Sequence, residues 1–187
     1  MVIVSKIPGG AELMNAEEVL KKAGLIGGMT VADFGCGGRA YFTLNAARLV
    51  GKNGLVYAID ILKTALRSAE DLAKFYNLSN VRTIWADLEV FGSTKIEAES
   101  VDFIIITNLF FQTKKHEVIL KEAFRILKKN GIVFIADWVK TATPLGPPVK
   151  MRVDPEKIKE IASNVGLTFE KEFQAGPYHF GMVFVKK

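Results

Sequence analysis

The chain has 187 residues, 49% of them apolar, a net charge of +5 and one cysteine. That is enough for one domain, residues 1–187, with a full core, and ordinary glycine and proline levels exclude a fibre or a disordered chain. Cys36 alone cannot form an internal disulfide, which suits a reducing, cytoplasmic setting; the first residues lack a signal-peptide pattern, and no apolar run nears the roughly 18 residues of a membrane span. The mild positive charge is compatible with an anionic substrate, a nucleic acid, an acidic membrane surface or simply a solvated surface.

Residues 1–14 read as an N-terminal arm, with Ile7-Pro8-Gly9-Gly10 as a turn. Asn15 then reads as an N-cap with Glu18 three residues on, and Gly24 closes that helix. The apolar run Met29–Phe34 predicts the central strand. It enters Gly35-Cys36-Gly37-Gly38, after which a helical pattern begins at once. Three glycines in four positions permit a sharp bend with positive φ and let a ligand lie against bare main chain. The following helix start offers unpaired N–H groups with positive partial charge.

Leu55–Ile59 is a second strand, uniformly apolar and therefore suited to a parallel sheet covered on both faces. It ends at Asp60. A helix is predicted over 63–76, a third strand over 81–86 ending at Asp87, and a loop over 88–100. Val101–Thr107 is the fourth strand and feeds Asn108. A helix is predicted over 114–129, stopped by Asn130-Gly131, before a fifth strand over 132–136 that ends at Asp137-Trp138. Residues 140–153 hold three of the six prolines and no periodicity, a long loop of the kind that serves as a lid. Asp154-Pro155 starts a helix that Gly166 closes. Two final strands, 167–173 and 179–185, are joined by a five-residue connection, which requires an antiparallel pair.

This alternation predicts a doubly wound, Rossmann-like α/β sheet, with ligands at the carboxyl ends of the strands where strand order reverses. Asp33, Asp60, Asp87, Asn108 and Asp137 all fall on that rim. Asp60 stands 25 residues after Gly35, where a carboxylate can accept both hydroxyls of a ribose. Asp87 is placed to accept from an adenine amino group. Gly35-x-Gly37-x-x-Ala40 also fits the dinucleotide fingerprint, yet Asp33 beside a pyrophosphate would repel it, whereas an ammonium and a sulfonium would be attracted.

Val31–Gly38 with Tyr41-Phe42-Thr43, Val56–Asp60, Ala86-Asp87, Val101 to Asn108, Arg125-Ile126-Leu127-Lys128 with Gly131, and the terminal hairpin resemble the class I S-adenosylmethionine-dependent methyltransferases. The likeness is closest to the small-molecule branch that includes ubiquinone/menaquinone-biosynthesis enzymes. It implies a seven-stranded sheet, mostly parallel, with an antiparallel last strand. It implies S-adenosyl-L-methionine as cofactor, with Asp33, Gly35 and Gly37 at its methionine part. Asp60 would take the ribose and Asp87 with Leu88 the adenine, Asn108 would lie near the methionine and the methyl group, and Gly38 and Ile61 would be further cofactor contacts. Arg39 stands where that family has its last glycine, and the link to Tyr41 is one residue longer. The Asn-Pro-Pro-aromatic signature of base and amide N-methyltransferases is absent, which disfavours nucleic acid as acceptor.

Neither a catalytic residue nor a metal-ligand set is assigned. Phe111, Trp138 and Tyr178 are candidates to wall a small-molecule or lipid acceptor, or are rim-packing aromatics. His116 and His179 read as surface histidines or as bases. Ile7–Met14 and Lys140–Arg152 are expected to cover the site, with Lys140, Lys150 and Arg152 making that cover basic. Two other readings remain open at this point: a nicotinamide-dependent Rossmann oxidoreductase, and a non-catalytic adenosyl- or RNA-binding module.

Overall fold

Asn15 opens the first helix as an N-cap: its side chain accepts from the Glu18 amide, and α1 (Ala16–Ala23) ends at Gly24 with φ of 104°. The structure, a computed structural model, describes residues 10–187. The predicted turn over 7–10 therefore lies almost wholly outside the described residues. From α1 the chain alternates through β1 (Thr30–Phe34), α2 (Tyr41–Val50), β2 (Leu55–Asp60), α3 (Lys63–Phe75), β3 (Val81–Trp85) and β4 (Val101–Thr107). It continues through α4 (His116–Ile126), β5 (Leu127–Trp138), α5 (Pro155–Val165), β6 (Leu167–Gly176) and β7 (His179–Lys186).

All seven strands share one sheet, in the order β3-β2-β1-β4-β5-β7-β6. β1 pairs parallel with β2 and β4, and β5 parallel with β4, while β7 runs antiparallel to both β5 and β6. The expected architecture, seven strands with the last antiparallel, is what forms. Strand β4 shows why the fold is layered. Ile104 and Ile106 pack on one face with Leu120 and Ile158; Phe103 and Ile105 pack on the other with Leu20 and Phe42. Successive side chains alternate faces, so an all-apolar strand needs helices on both sides. Strand order reverses between β1 and β4, and the cleft described below opens at their carboxyl ends.

Two boundaries differ from expectation. Helix α4 stops at Ile126 instead of continuing to 129, because Leu127 is fully buried and pairs with Val101 of β4. The next pair is Phe103 with Ile132, so residues 128–131 bulge outward, with Asn130 at φ 62°. Sheet pairing at Leu127 overrides the helical propensity of Lys128 and Lys129. The final connection is also tighter than five residues. β6 runs to Gly176 and β7 starts at His179, leaving Pro177-Tyr178 as the turn, with an irregularity between Gln174 and Gly176. That irregularity lets Ala175 pack into the core beside Met14 and Phe134.

Candidate active site

The glycine turn is held by β2. The amides of Gly35 and Cys36 both donate to the Ile59 carbonyl, at 2.8 and 3.0 Å. The carboxylate of Asp60 then accepts from the Gly37 amide and the Leu62 amide, each at 2.9 Å. Gly35 and Gly37 adopt φ of 78° and 64°, which L side chains rarely tolerate. A Cβ on Gly37 or Gly38 would meet nothing within 4 Å. Bare main chain thus faces open space, as a closely held ligand requires.

Two adjoining cavities follow this turn, and both are lined by Gly35, Gly37 and Gln112. The larger, about 470 Å³, is walled by Asp60, Ile61, Ala86, Asp87 and Leu88. The smaller, about 270 Å³, is walled by Glu12, Gly38, Arg39, Thr107 and Asn108. Of the nine residues assigned to the cofactor in the sequence, eight line this cleft. Asp60 uses two of the roughly four acceptor positions of a carboxylate on main-chain amides, leaving the others for a ligand. Asp87 is oriented by the Glu89 amide, 2.9 Å from its Oδ1. Asn108 sits in the left-handed region, φ 51°, with its amide on the Ala136 carbonyl and its own carbonyl accepting from Gln112.

Asp33, the ninth, lies behind the turn and is 1% exposed. Thr43 donates to its Oδ2 at 2.6 Å, while Oδ1 has no partner. Burial pushes its pKa up to about 7, the Thr43 hydrogen bond works against that rise, and the charge of Asp60 adds to it. An orphaned carboxylate oxygen at the inner end of the cleft suits a cationic ligand group.

Burial distinguishes the other residues singled out in the sequence. Asp137 reaches the rim, but its carboxylate braces the chain after β4 by accepting from the amides of Phe110, Phe111 and Trp138. Trp138 is 1% exposed, and Phe111, Trp138 and Tyr178 are not among the residues lining the two cavities of the cleft. His179 is fully buried instead of at the surface. His116 is half-buried, with its Nε2 at 2.9 Å from the Phe110 carbonyl and 2.8 Å from that of Thr113. Arg152 is buried and Lys140 pairs with Asp154, so of the three basic residues of the expected cover only Lys150 is exposed and free of an ion pair among the described residues. Glu12, Leu109, Gln112 and Thr113 line the cleft without having been singled out, although Gln112 lies only four residues beyond Asn108. Glu12 gets there through an ion pair with Arg39 at 2.7 Å, a contact across 27 positions that no local pattern announces.

A doubly wound sheet with a hairpin-terminated edge, a glycine turn and an acidic rim defines a class I, Rossmann-like methyltransferase fold. Residues 25–174 match the methyltransferase domain family. An S-adenosylmethionine-dependent methyltransferase from Aquifex aeolicus superposes with a TM-score of 0.87 at 28% identity, covering 96% of this chain and 94% of that one. (S)-coclaurine N-methyltransferase of Thalictrum flavum subsp. glaucum is 30% identical over 125 residues, which is 67% of this chain and 33% of that enzyme. Demethylmenaquinone methyltransferase of Geobacillus sp. (strain WCH70) is 27% identical over 117 residues, 63% of this chain and 48% of that one. The chain thus spans less than half the length of these two curated relatives. It belongs to the methyltransferase domain family, in its class I branch, whose cofactor is S-adenosyl-L-methionine. Among the described residues no helix is long and apolar enough to cross a membrane.

Proposed function

We propose that this protein transfers a methyl group from S-adenosyl-L-methionine to a small-molecule acceptor. The observation that carries the reading is the pair of adjoining cavities along the glycine turn, with Asp60 and Asp87 lining the larger and the orphaned Asp33 oxygen buried behind the turn. In this reading Asp60 accepts the ribose hydroxyls. Ile61, Asp87 and Leu88 hold the adenine. Gly35, Gly37, Gly38 and Asn108 hold the amino-acid part, and the negative charge of Asp33 favours the cationic end. When bound, the cofactor supplies an electrophilic methyl group. The chain's own contribution is to align that group with the acceptor and to exclude water; positioning of this kind is worth effective molarities of about 10⁵–10⁸ M. No side chain is given a proton-transfer role.

The acceptors of the relatives, (S)-coclaurine and a demethylmenaquinone by their names, favour a small molecule or lipid over nucleic acid. All seven strands join one sheet, which supports treating residues 1–187 as one domain, and the lone cysteine is compatible with the cytoplasm. Isothermal titration calorimetry with S-adenosylhomocysteine and with NADH tests the cofactor assignment. S-adenosylhomocysteine is expected to bind and NADH not to; the reverse would make the protein a nicotinamide-dependent oxidoreductase. Mass spectrometry of an extract incubated with methyl-labelled donor then identifies the acceptor, and binding without any labelled product would leave only an adenosyl-binding module.

A further inference from the structure

Trp138 and His179 are direct partners across β5 and β7, at the carboxyl end of β5. Their ring centroids are 4.3 Å apart, and both side chains are sealed from solvent, at 1% and 0% exposure. Among the described residues, the indole Nε1 and both imidazole nitrogens have no hydrogen-bond partner. Buried polar groups are normally paired, because an unpaired one loses its hydration and gains nothing. Three such atoms in one place call for a ligand.

What covers the Trp138 ring is bare backbone. A Cβ on Gly146 would lie 2.5 Å from the Trp138 ring, and one on Gly10 would lie 2.3 Å from it. The segment containing Gly146 is closed on itself by Arg152, whose guanidinium donates to the carbonyls of Pro147, Val139, Thr141 and Leu145 at 2.7–3.1 Å. Among the described residues, every hydrogen bond of residues 141–152 ends within 139–152. Among the described residues, lifting this segment therefore breaks no hydrogen bond to a strand, and it uncovers Trp138.

The electrostatics of the closed pair are one-sided. Arg152 is 5% exposed, lies 5.5 Å from the Trp138 ring centroid and makes no ion pair among the described residues. A buried charge of this kind is costly until an opposite charge meets it. The position is also next to the methyl end of the cleft. The Asn108 amide bonds the Ala136 carbonyl, and Trp138 lies two residues beyond Ala136 on the same face, about 7 Å along the strand.

We propose that residues 140–152 form a lid, and that Trp138 and His179 beneath it, with Arg152, take a carboxylate of the methyl acceptor. The proposal rests on the methyltransferase reading above. A carboxylate accepts from the indole N–H and from an imidazole N–H, and brings the negative charge that Arg152 lacks. A neutral hydroxyl supplies only the first of these, and an ammonium supplies neither.

The test uses the full chain saturated with S-adenosylhomocysteine, titrated with benzoate or with benzyl alcohol. The readout is the indole N–H signal of Trp138 in ¹⁵N–¹H NMR spectra. The chain has two tryptophans, so the spectrum of Trp85→Phe assigns that signal. Benzoate is expected to shift the Trp138 signal and to bind at least tenfold tighter than benzyl alcohol, and His179→Phe should lose at least tenfold of the benzoate affinity. If His179→Phe does not fold, the comparison of the two compounds on the unaltered chain decides alone. An unmoved Trp138 signal, or equal binding of both compounds, overturns the proposal while S-adenosylhomocysteine still binds. Failure of S-adenosylhomocysteine itself to bind overturns the functional reading instead.

Discussion

Asp60 does two jobs with one carboxylate: it ties the glycine turn to the start of α3, and it faces the wide end of the cleft. Removing it costs hydrogen bonds to a charged group, each worth about 1.5–3 kcal/mol. Asp60→Ala should raise the S-adenosylhomocysteine dissociation constant roughly 10- to 150-fold by calorimetry. Asp33 is different, because its burial makes ionisation costly. With a folded pKa of about 7 against an ordinary 3.8, its stabilising effect is complete in acid and disappears as pH rises towards 7. Asp33→Asn should therefore raise the melting temperature at pH 8 more than at pH 5. The S-adenosylmethionine affinity of the parent protein is expected to rise as pH passes through 7, since only the ionised carboxylate attracts a cation, and Asp33→Asn should abolish that rise in calorimetry. His179 has the opposite sign. Burial, with Arg152 adding, holds its pKa near 4, so the folded protein disfavours the imidazolium, and stability falls as pH drops from about 6.5 to 4. A folded His179→Phe variant should unfold less steeply with acid across that window, by up to about 3 kcal/mol.

At the scale of elements, most boundaries could be read because their signals are local. Asn15 and Gly24 bracket α1, Asp154-Pro155 starts α5, and β4 covers 101–107 as its apolar run predicts. The misreadings fall where tertiary pairing competes with propensity, as at Leu127, whose side chain the sheet captures before α4 can extend. The bulge that follows depends on Gly131, because a Cβ there would lie 2.7 Å from Leu127 Cγ and 2.9 Å from the Lys128 carbonyl oxygen. Gly131→Ala should destabilise the protein by about 1–3 kcal/mol in urea unfolding, through overpacking.

At the scale of the whole molecule, one sheet carries the cofactor cleft at its centre, so ligand binding and global stability are coupled. S-adenosylhomocysteine at 100 times its dissociation constant should stabilise the fold by about 2.7 kcal/mol, a rise of roughly 5–10 °C in melting temperature, and NADH should give none. The amino-acid sequence alone determined the alternation of strands and helices, the glycine turn and the acidic residues at successive strand ends. Those follow from the order of neighbouring residues: period two or 3.6, and the φ that a turn demands. Only the tertiary structure decided which polar groups stay in water. Asp33 finds Thr43, Arg152 folds back onto its own loop, and His179 ends against Trp138 beneath Gly146. Burial is set by what arrives from distant parts of the chain, and it is burial that turns ordinary polar residues into charged, neutral or unsatisfied ones.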